Sequence, residues 1–216
     1  MERLFVVGDI HGMYDKLISL MKKVIKLYKF NETDKLIFVG DYIDRGKDSF
    51  KVIEYLCELK NKYTNIVFLK GNHEDMLLNY IASINKYLFL INGGYDTIKS
   101  YKQHKYDLET WNIPQSHKDF FNELELYHIH NDVFIVHAGV NPERSIYEQE
   151  EEDLLWIRDE FINSDKDFEK LIVSGHTIVG DKPLVCKNKI CIDTGAFLKD
   201  HELTCLILPD IEFTTS

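Results

Sequence analysis

The fold is decided by residues 36–46, which read Leu36-Ile37-Phe38-Val39-Gly40-Asp41-Tyr42-Ile43-Asp44-Arg45-Gly46. The first four form an uninterrupted apolar run, which predicts a strand buried on both faces. A carboxylate at the mouth of such a strand has lost much of its water and needs a compensating cation. We interpret Asp41 as a candidate metal ligand and Asp44 as one half of an ion pair or hydrogen bond. The alternative is an ordinary polar strand-to-helix turn.

The same design, a buried strand followed by polar residues, recurs at four other places. Predicted strands at 4–7, 66–69, 133–136 and 171–173 lead into polar side chains, namely Asp9, His11, Asn72, His73, His137 and His176. Apolar residues at helical spacing follow the first strands, so this part of the chain reads as a parallel α/β sheet.

The polar side chains should meet, because parallel strands place their carboxyl ends at one edge of a sheet. A lone histidine at such a position is more often a satisfied core residue than a ligand. Five strand ends that converge are harder to explain structurally. Mixed Asp, His and Asn ligation suits divalent cations such as Mn²⁺, Fe²⁺ or Zn²⁺.

Composition and charge narrow the class of protein. The chain has 216 residues and a formal net charge of −10, which argues against nucleic acid as a partner. Met1-Glu2-Arg3 leads directly into a strand, and no apolar run approaches membrane-spanning length. We therefore expect a cytoplasmic protein with no membrane partner.

The four cysteines include no CxxC pair. Cys186 and Cys191 could face each other across a hairpin, but reduced buried thiols are the expectation for a cytoplasmic protein. The last part of the chain, at 184–186, 189–193 and 203–208, predicts antiparallel strands.

Residues from about 75 to 126 differ in character, being rich in Tyr, Asn, Lys and His. Asn92-Gly93-Gly94 separates two predicted helical pieces, and we interpret the segment as a mostly helical cap inserted over the site. Its basic run at 99–105 could help to hold an anionic substrate. A solvated helix face is the simpler interpretation.

Three blocks resemble the signature motifs of the phosphoprotein phosphatase family of calcineurin-like metallophosphoesterases. They are Gly8-Asp9-Ile10-His11-Gly12, Gly40 to Gly46 as quoted above, and Gly71-Asn72-His73-Glu74. His137-Ala138-Gly139 and Gly175-His176 match the two later histidine motifs of that family in the expected order. The resemblance covers residues 4–195, and the Leu154-Leu155-Trp156-Ile157-Arg158 block is most similar to compact bacterial and phage-type serine/threonine phosphatases.

The resemblance implies an α/β fold in which two mixed β-sheets pack as a sandwich flanked by helices (αββα). It also implies a single metallophosphoesterase domain over residues 1–216, with the helical cap inserted at about 75–126. Two divalent metal ions are implied as cofactors, with Mn²⁺ favoured and Fe²⁺ or Zn²⁺ as alternatives. A water shared by the two ions would attack phosphorus in line, without a phosphoenzyme.

Carried over residue by residue, the resemblance gives a complete site. The implied metal ligands are Asp9, His11, Asp41, Asn72, His137 and His176, with Asp41 bridging the two ions. Arg45, Arg158 and Asn72 would bind the substrate phosphate. His73 would be the general acid, oriented by Asp44.

Some alternatives remain open at this stage. His73 could instead cap a helix or serve as a further metal ligand, and Arg158 could be a surface arginine that packs on Trp156. Phe197 lies where larger relatives place an active-site tyrosine segment, and we assign it no role.

The first-choice function is hydrolysis of phosphoserine or phosphothreonine in a phosphoprotein or phosphopeptide. The alternative is a symmetrical dinucleoside-tetraphosphate hydrolase, although those enzymes usually depart from the Asp44-Arg45 pair that is intact here. Compact members of the family are often permissive, including toward phosphotyrosine. A third reading is a catalytically silent binding module, which should have lost ligands, and none is missing.

Overall fold

The apolar run at 36–39 supplies an inner strand of a five-stranded mixed sheet in the computed structural model, which describes residues 2–216. In spatial order the strands are Glu212–Thr215 (β10), Thr204–Leu208 (β9), Leu4–Val7 (β1), Lys35–Phe38 (β2) and Ile66–Phe68 (β3). The predicted parallel arrangement holds for β1, β2 and β3, whereas β9 runs antiparallel to both β1 and β10.

A second mixed sheet of five strands packs against the first. It contains, in spatial order, Tyr127–His130 (β4), Val133–Val136 (β5), Leu171–Ser174 (β6), Lys189–Cys191 (β8) and Leu184–Val185 (β7). The three inner strands are parallel, and β4 and β7 are antiparallel edges.

Alternation of side chains along the strands builds three apolar layers. Leu36 and Phe38 point into a core shared with helices, whereas Ile37 points into the core between the sheets, together with Ile135 and Val173. A third core covers the outer face of the second sheet. The αββα sandwich is therefore confirmed.

Eight α-helices are found in residues 2–216. They are Tyr14–Lys22 (α1), Ser49–Lys62 (α2), Asn72–Ile81 (α3), Lys86–Phe89 (α4), Tyr95–Gln103 (α5), Gln115–Asn122 (α6), Glu151–Trp156 (α7) and Asp159–Ile162 (α8). A π-helical segment spans Lys23–Leu27, and Leu90–Gly94 is a kink in which Asn92 and Gly93 have non-helical backbone angles. Within the described residues, every helix is too short or too polar to cross a lipid bilayer.

The helical segment at about 75–126 shares the first core with β2 and β3. Phe89, Tyr101 and Phe120 are buried in the same cluster as Phe38 and Phe68. Both α5 and α6 pack on α2, which follows the loop that carries Asp44. The segment therefore packs against the rest of the fold through a continuous apolar core.

The antiparallel pairing predicted for the C-terminal strands is found in part. Strands β7 and β8 do pair antiparallel, but β8 also runs parallel to β6, and β9 belongs to the other sheet. The backbone N–H of Cys186 donates a hydrogen bond to the carbonyl of Lys189. Leu184, rather than Cys186, lies opposite Cys191. The suggested cysteine pairing is therefore wrong in register, and all four thiols are free. Local alternation predicts a strand but carries no information about its partner.

Candidate active site

Loops at the carboxyl ends of four strands and the first turn of α3 bring the predicted polar side chains together. The buried members are Asp9, His11, Asp41, Asp44, Asn72, His73, His137 and His176. Arg45 is half-buried among them, and Arg158 is exposed.

Five of these residues have backbone angles that are uncommon outside glycine. Positive φ values occur at His11 (47°), Asp41 (50°), Asp44 (70°), Arg45 (64°) and His176 (63°). Such conformations cost of order 1–3 kcal/mol each and persist only where the surroundings fix them. Their concentration where the carboxyl ends of strands from the two sheets meet is typical of a functional site.

Glu74 is one group that fixes this backbone. Its buried carboxylate accepts hydrogen bonds from the N–H groups of Asp41 (2.8 Å), Tyr42 (2.9 Å) and Gly71 (3.0 Å). Gly71 itself has no room for a side chain, because a Cβ there would lie 2.2 Å from Asp41 Oδ1. Glu74 thus ties the second and third sequence blocks together, a role that the sequence does not reveal.

One group of donor atoms surrounds His137. Its Nε2 lies 3.0 Å from Asn72 Oδ1, 3.2 Å from His176 Nδ1 and 3.4 Å from Asp41 Oδ1. Its Nδ1 lies 3.0 Å from the carbonyl oxygen of Val39, which suits an Nδ1–H donor and leaves the Nε2 lone pair facing the group. These atoms form a donor set for one divalent cation.

A second group lies around His11, and the buried Asp9 is the other ligand that the resemblance implies for it. Nε2 of His11 lies 3.5 Å from Asp41 Oδ2, and its Nδ1 lies 2.9 Å from the carbonyl of Ile43. Asp9 accepts one hydrogen bond through Oδ2, from the N–H of His176 at 2.9 Å. Its buried Oδ1 has no hydrogen-bond partner among the described residues. A buried carboxylate oxygen without a partner is costly, and a cation would satisfy it.

Asp41 stands between the two groups, with Oδ2 toward His11 and Oδ1 toward His137. The buried sets that could hold a metal ion are His11, Asp41 and His73 on one side and Asp41, His137 and His176 on the other, so Asp41 belongs to both. The residues present therefore fit two divalent cations that share one carboxylate.

The charge states of Asp41 and of three histidines agree with metal ligation, whereas burial, with Asp193 and Asp41 nearby, raises the pKa of Asp9 well above its usual range. Burial lowers the pKa of His11 to about 3 and that of His176 to about 2, and it lowers the pKa of His137 as well. Burial would raise the pKa of Asp41, but the neighbouring histidines, chiefly His137 and His73, outweigh it and hold this pKa well below its usual range. Metal ligands must be unprotonated, so neutral imidazoles around an ionised carboxylate are a suitable set.

His73 behaves differently from the other three histidines. Its Nδ1 lies 2.6 Å from Asp44 Oδ2, and its Nε2 lies 3.2 Å from Arg45 Nη2. Burial alone would lower the pKa of His73, but the carboxylates of Asp41 and Asp44 outweigh it and raise that pKa. The side chain bonds to Asp44 rather than to the helix backbone, which removes the helix-cap interpretation. Because His73 also lies close to His11 and Asp41, proton donor and metal ligand remain as its two interpretations.

Thr97, on α5, contacts Asp44 from the other side. Its hydroxyl donates to Asp44 Oδ1 at 2.6 Å and accepts from the Asp44 N–H at 2.8 Å. Ser49 Oγ lies 3.0 Å from the same hydroxyl, and all three side chains are buried. The cap segment thus holds the carboxylate that orients His73. No sequence signal marks Thr97, which is 53 residues from Asp44 in the chain.

Arg45 and Arg158 contact different parts of the site. The Arg45 guanidinium lies over the ring of Phe197, 4.6 Å from its centroid, and the same ring meets His11 edge-on at 5.1 Å. Phe197 is therefore a site residue that the sequence reading left without a role. Arg158 Nη1 donates to the carbonyl of His176 at 3.0 Å and to Thr177 Oγ1 at 3.3 Å, which anchors it beside the His137 group.

Comparisons with known proteins place this geometry in a family. Among solved structures, the chain is similar to a candidate diadenosine tetraphosphatase (21% identity, TM-score 0.71, covering 100% of this chain and 93% of that chain). It is also similar to a cold-active protein tyrosine phosphatase (18% identity, TM-score 0.71, 100% and 78%). A third similar structure is a Saccharomyces cerevisiae protein serine/threonine phosphatase (17% identity, TM-score 0.64, 99% and 79%).

At such identities the likeness shows a shared fold and leaves the substrate open. The family model described as calcineurin-like phosphoesterase matches residues 2–207. Since that match spans nearly all of the sequence, the chain belongs to the calcineurin-like phosphoesterase family and is a metallophosphoesterase.

Proposed function

We propose that this metallophosphoesterase removes phosphate from phosphoserine and phosphothreonine in proteins, in the cytoplasm, with two divalent cations of which Mn²⁺ is favoured. The observation that carries the proposal is the 2.6 Å contact between His73 and Asp44, next to Arg45. A serine alkoxide is a very poor leaving group and needs a proton as it departs. A phosphoanhydride releases a much weaker base, so a dedicated proton donor matters less to it.

Each side chain of the site has a distinct proposed role. Asp9 and His11 would hold one cation and Asn72, His137 and His176 the other, with Asp41 shared between them. When bound, the cations neutralise phosphoryl charge and lower the pKa of a water molecule. Arg45 and Arg158 orient the phosphoryl oxygens. His73 gives its Nε2 proton to the departing oxygen, while Asp44 fixes the ring and favours its protonated form.

Arg158→Ala should weaken inhibition by inorganic phosphate roughly 10- to 100-fold, because a hydrogen bond to a charged group contributes about 1.5–3 kcal/mol. Turnover should fall as well. Inhibition constants for phosphate measured on purified protein check this. Arg144→Ala is the matched control, since that arginine pairs with Glu150 instead. Unaltered phosphate inhibition in Arg158→Ala would show that Arg158 is not the second clamp.

Thr97→Val should lower kcat on a phosphoserine peptide roughly 10- to 100-fold, because Asp44 loses a hydrogen bond and no longer fixes His73. Thr97→Ser keeps the hydroxyl and should retain most of the activity. An ester with an activated phenol as leaving group should be affected less than the peptide. If Thr97→Val lowered the melting temperature but slowed both esters equally, Thr97 would stabilise the fold without positioning the acid.

A second candidate function is symmetrical hydrolysis of dinucleoside tetraphosphates. The similarity to the candidate diadenosine tetraphosphatase at a TM-score of 0.71 favours it. The buried contact between Asp44 and His73 and the adjacent Arg45 support the phosphoprotein reading instead.

The deciding experiment compares kcat/KM for a phosphoserine peptide, a phosphotyrosine peptide and diadenosine tetraphosphate, with metal content measured on the same sample. We expect the phosphoserine peptide to be the best substrate and chelation to abolish its turnover, with Mn²⁺ restoring it. Faster turnover of diadenosine tetraphosphate than of either peptide would overturn the proposal, and a preference for the phosphotyrosine peptide would correct its specificity.

A further inference from the structure

The cap carries an exposed apolar surface close to the active site. Ile84 (73% exposed), Tyr87 (73%), Ile91 (56%) and Tyr95 (65%) lie within a short segment of α4, α5 and their connections. We call these four side chains the cap face. In α5, Thr97, Ile98 and Tyr101 are buried, so Tyr95 is exposed on the other side of that helix.

Next to the cap face lies a shallow surface cavity. Tyr95, Ile98, Lys99 and Lys102 line it, which gives an apolar floor with two ammonium groups at the margin. Residues 84–105 contain four lysines and a single acidic residue, Asp96, in a chain whose net charge is −10. The ion-paired lysines of residues 2–216 lie elsewhere in the sequence. This surface is therefore both apolar and locally cationic.

The cap face abuts the proposed phosphate clamp. Arg45 N–H approaches the carbonyl of Gly93 at 3.4 Å, and a Cβ on Gly93 would lie 2.8 Å from Arg45 N. Ile91 and Tyr95 are each two residues from Gly93, so their Cα atoms lie within about 7.6 Å of it, given 3.8 Å per step. A ligand held by Arg45 would thus have this surface beside it.

We propose that the cap face binds the polypeptide around the phosphorylated residue, taking an apolar side chain into the shallow cavity and an acidic side chain between Lys99 and Lys102. This inference rests on the proposed phosphoprotein function. An extended peptide advances about 3.3 Å per residue, so the bound side chains lie roughly two to four residues from the phosphoresidue. Large apolar side chains left in water at a site margin are typical of a binding surface.

The test uses the triple variant Tyr87→Ser, Ile91→Ser, Tyr95→Ser, whose changed side chains are all exposed, with Leu27→Ser as matched control. Leu27 is 70% exposed and lies outside the cap. For a phosphoserine peptide flanked by leucine and glutamate, the triple variant should raise KM roughly 10- to 100-fold. Turnover of p-nitrophenyl phosphate, which carries no flanking chain, should stay within about twofold, and Leu27→Ser should change neither.

A charge-reversal arm tests the acidic preference. Lys99→Glu with Lys102→Glu should raise KM for the glutamate-flanked peptide and lower it for a peptide with lysine in place of glutamate.

Four possible results would each contradict a different part of the proposal. Unchanged peptide KM in the triple variant overturns the docking surface while leaving the phosphoprotein function intact. Wild-type protein that cleaves the small ester but neither peptide overturns the phosphoprotein function itself. A KM increase confined to diadenosine tetraphosphate would make the cap face a nucleobase platform. A dimer in wild-type protein that the triple variant abolishes would make it a contact between two copies of the chain. Each of the last two contradicts the proposal.

Discussion

Asp41→Asn should remove both metal ions together and lower turnover by about 10³-fold or more, since loss of one transition-state stabiliser alone typically costs 10²- to 10³-fold. The reason is geometric. The two carboxylate oxygens face different donor groups, 3.5 Å from His11 Nε2 and 3.4 Å from His137 Nε2. An amide has only one oxygen and no charge, so it cannot serve both groups. Metal content per chain, measured by elemental analysis, should fall from about two toward zero, consistent with a shared ligand.

The control is Asp34→Asn. Asp34 is also buried, but it pairs with Arg3 at the other end of β2, so this variant should lose stability and keep its metal. Direct titration of the metal-free protein with Mn²⁺ gives a readout that is independent of activity. If Asp41→Asn bound two ions with near-normal affinity, the bridging assignment would be wrong. If it lost only one, Asp41 would belong to a single donor group.

His73→Asn should slow hydrolysis of a phosphoserine peptide by about 10²- to 10⁴-fold, the usual contribution of a positioned acid. An ester whose leaving group is an activated, low-pKa phenol should lose much less, because that oxygen departs without a proton. Metal content should stay unchanged. The measurement is kcat for both esters in the same variant, and the ratio of the two losses is the informative number.

The partner variant is Asp44→Asn, which retains His73 itself and removes the carboxylate 2.6 Å from its ring. It should show the same leaving-group dependence in milder form. Equal losses on both esters in His73→Asn would remove His73 from the acid role. Loss of metal would instead make it a ligand, in keeping with its closeness to His11 and Asp41.

Much of the site could be anticipated because it is encoded locally. Each polar block directly follows a buried strand or opens a helix, and the carboxyl ends of the parallel strands in the two packed sheets bring the blocks together. Apolar runs such as 36–39 predicted strands with two buried faces, and alternate residues do enter different cores. The free-energy cost of burying a carboxylate indicates that Asp41 and Asp44 are candidate site residues.

The remainder depends on contacts that no local pattern contains. Thr97 reaches Asp44 across 53 residues, and Phe197 reaches Arg45 from the C-terminal part of the chain. Glu74 looks like an ordinary first-turn acid until its backbone partners are known. Strand β10 and the sheet membership of β9 follow from tertiary pairing, which alternation of apolar residues does not specify.

The hydroxyl of Thr97 has a consequence for protein engineering. A segment such as 75–126 is a natural choice for exchange between relatives when the aim is to change specificity. In this protein the exchange would also remove Thr97, which holds Asp44 and so positions the proposed proton donor, His73. A chimera that receives a foreign segment without a hydroxyl at this position leaves Asp44 Oδ1 without the hydrogen bond from Thr97, and the Asp44 N–H keeps only Ser49 Oγ, at 3.2 Å, as its acceptor. The chimera would then combine a changed substrate preference with slower proton donation by His73. Restoring the hydroxyl at position 97 alone would separate these two effects.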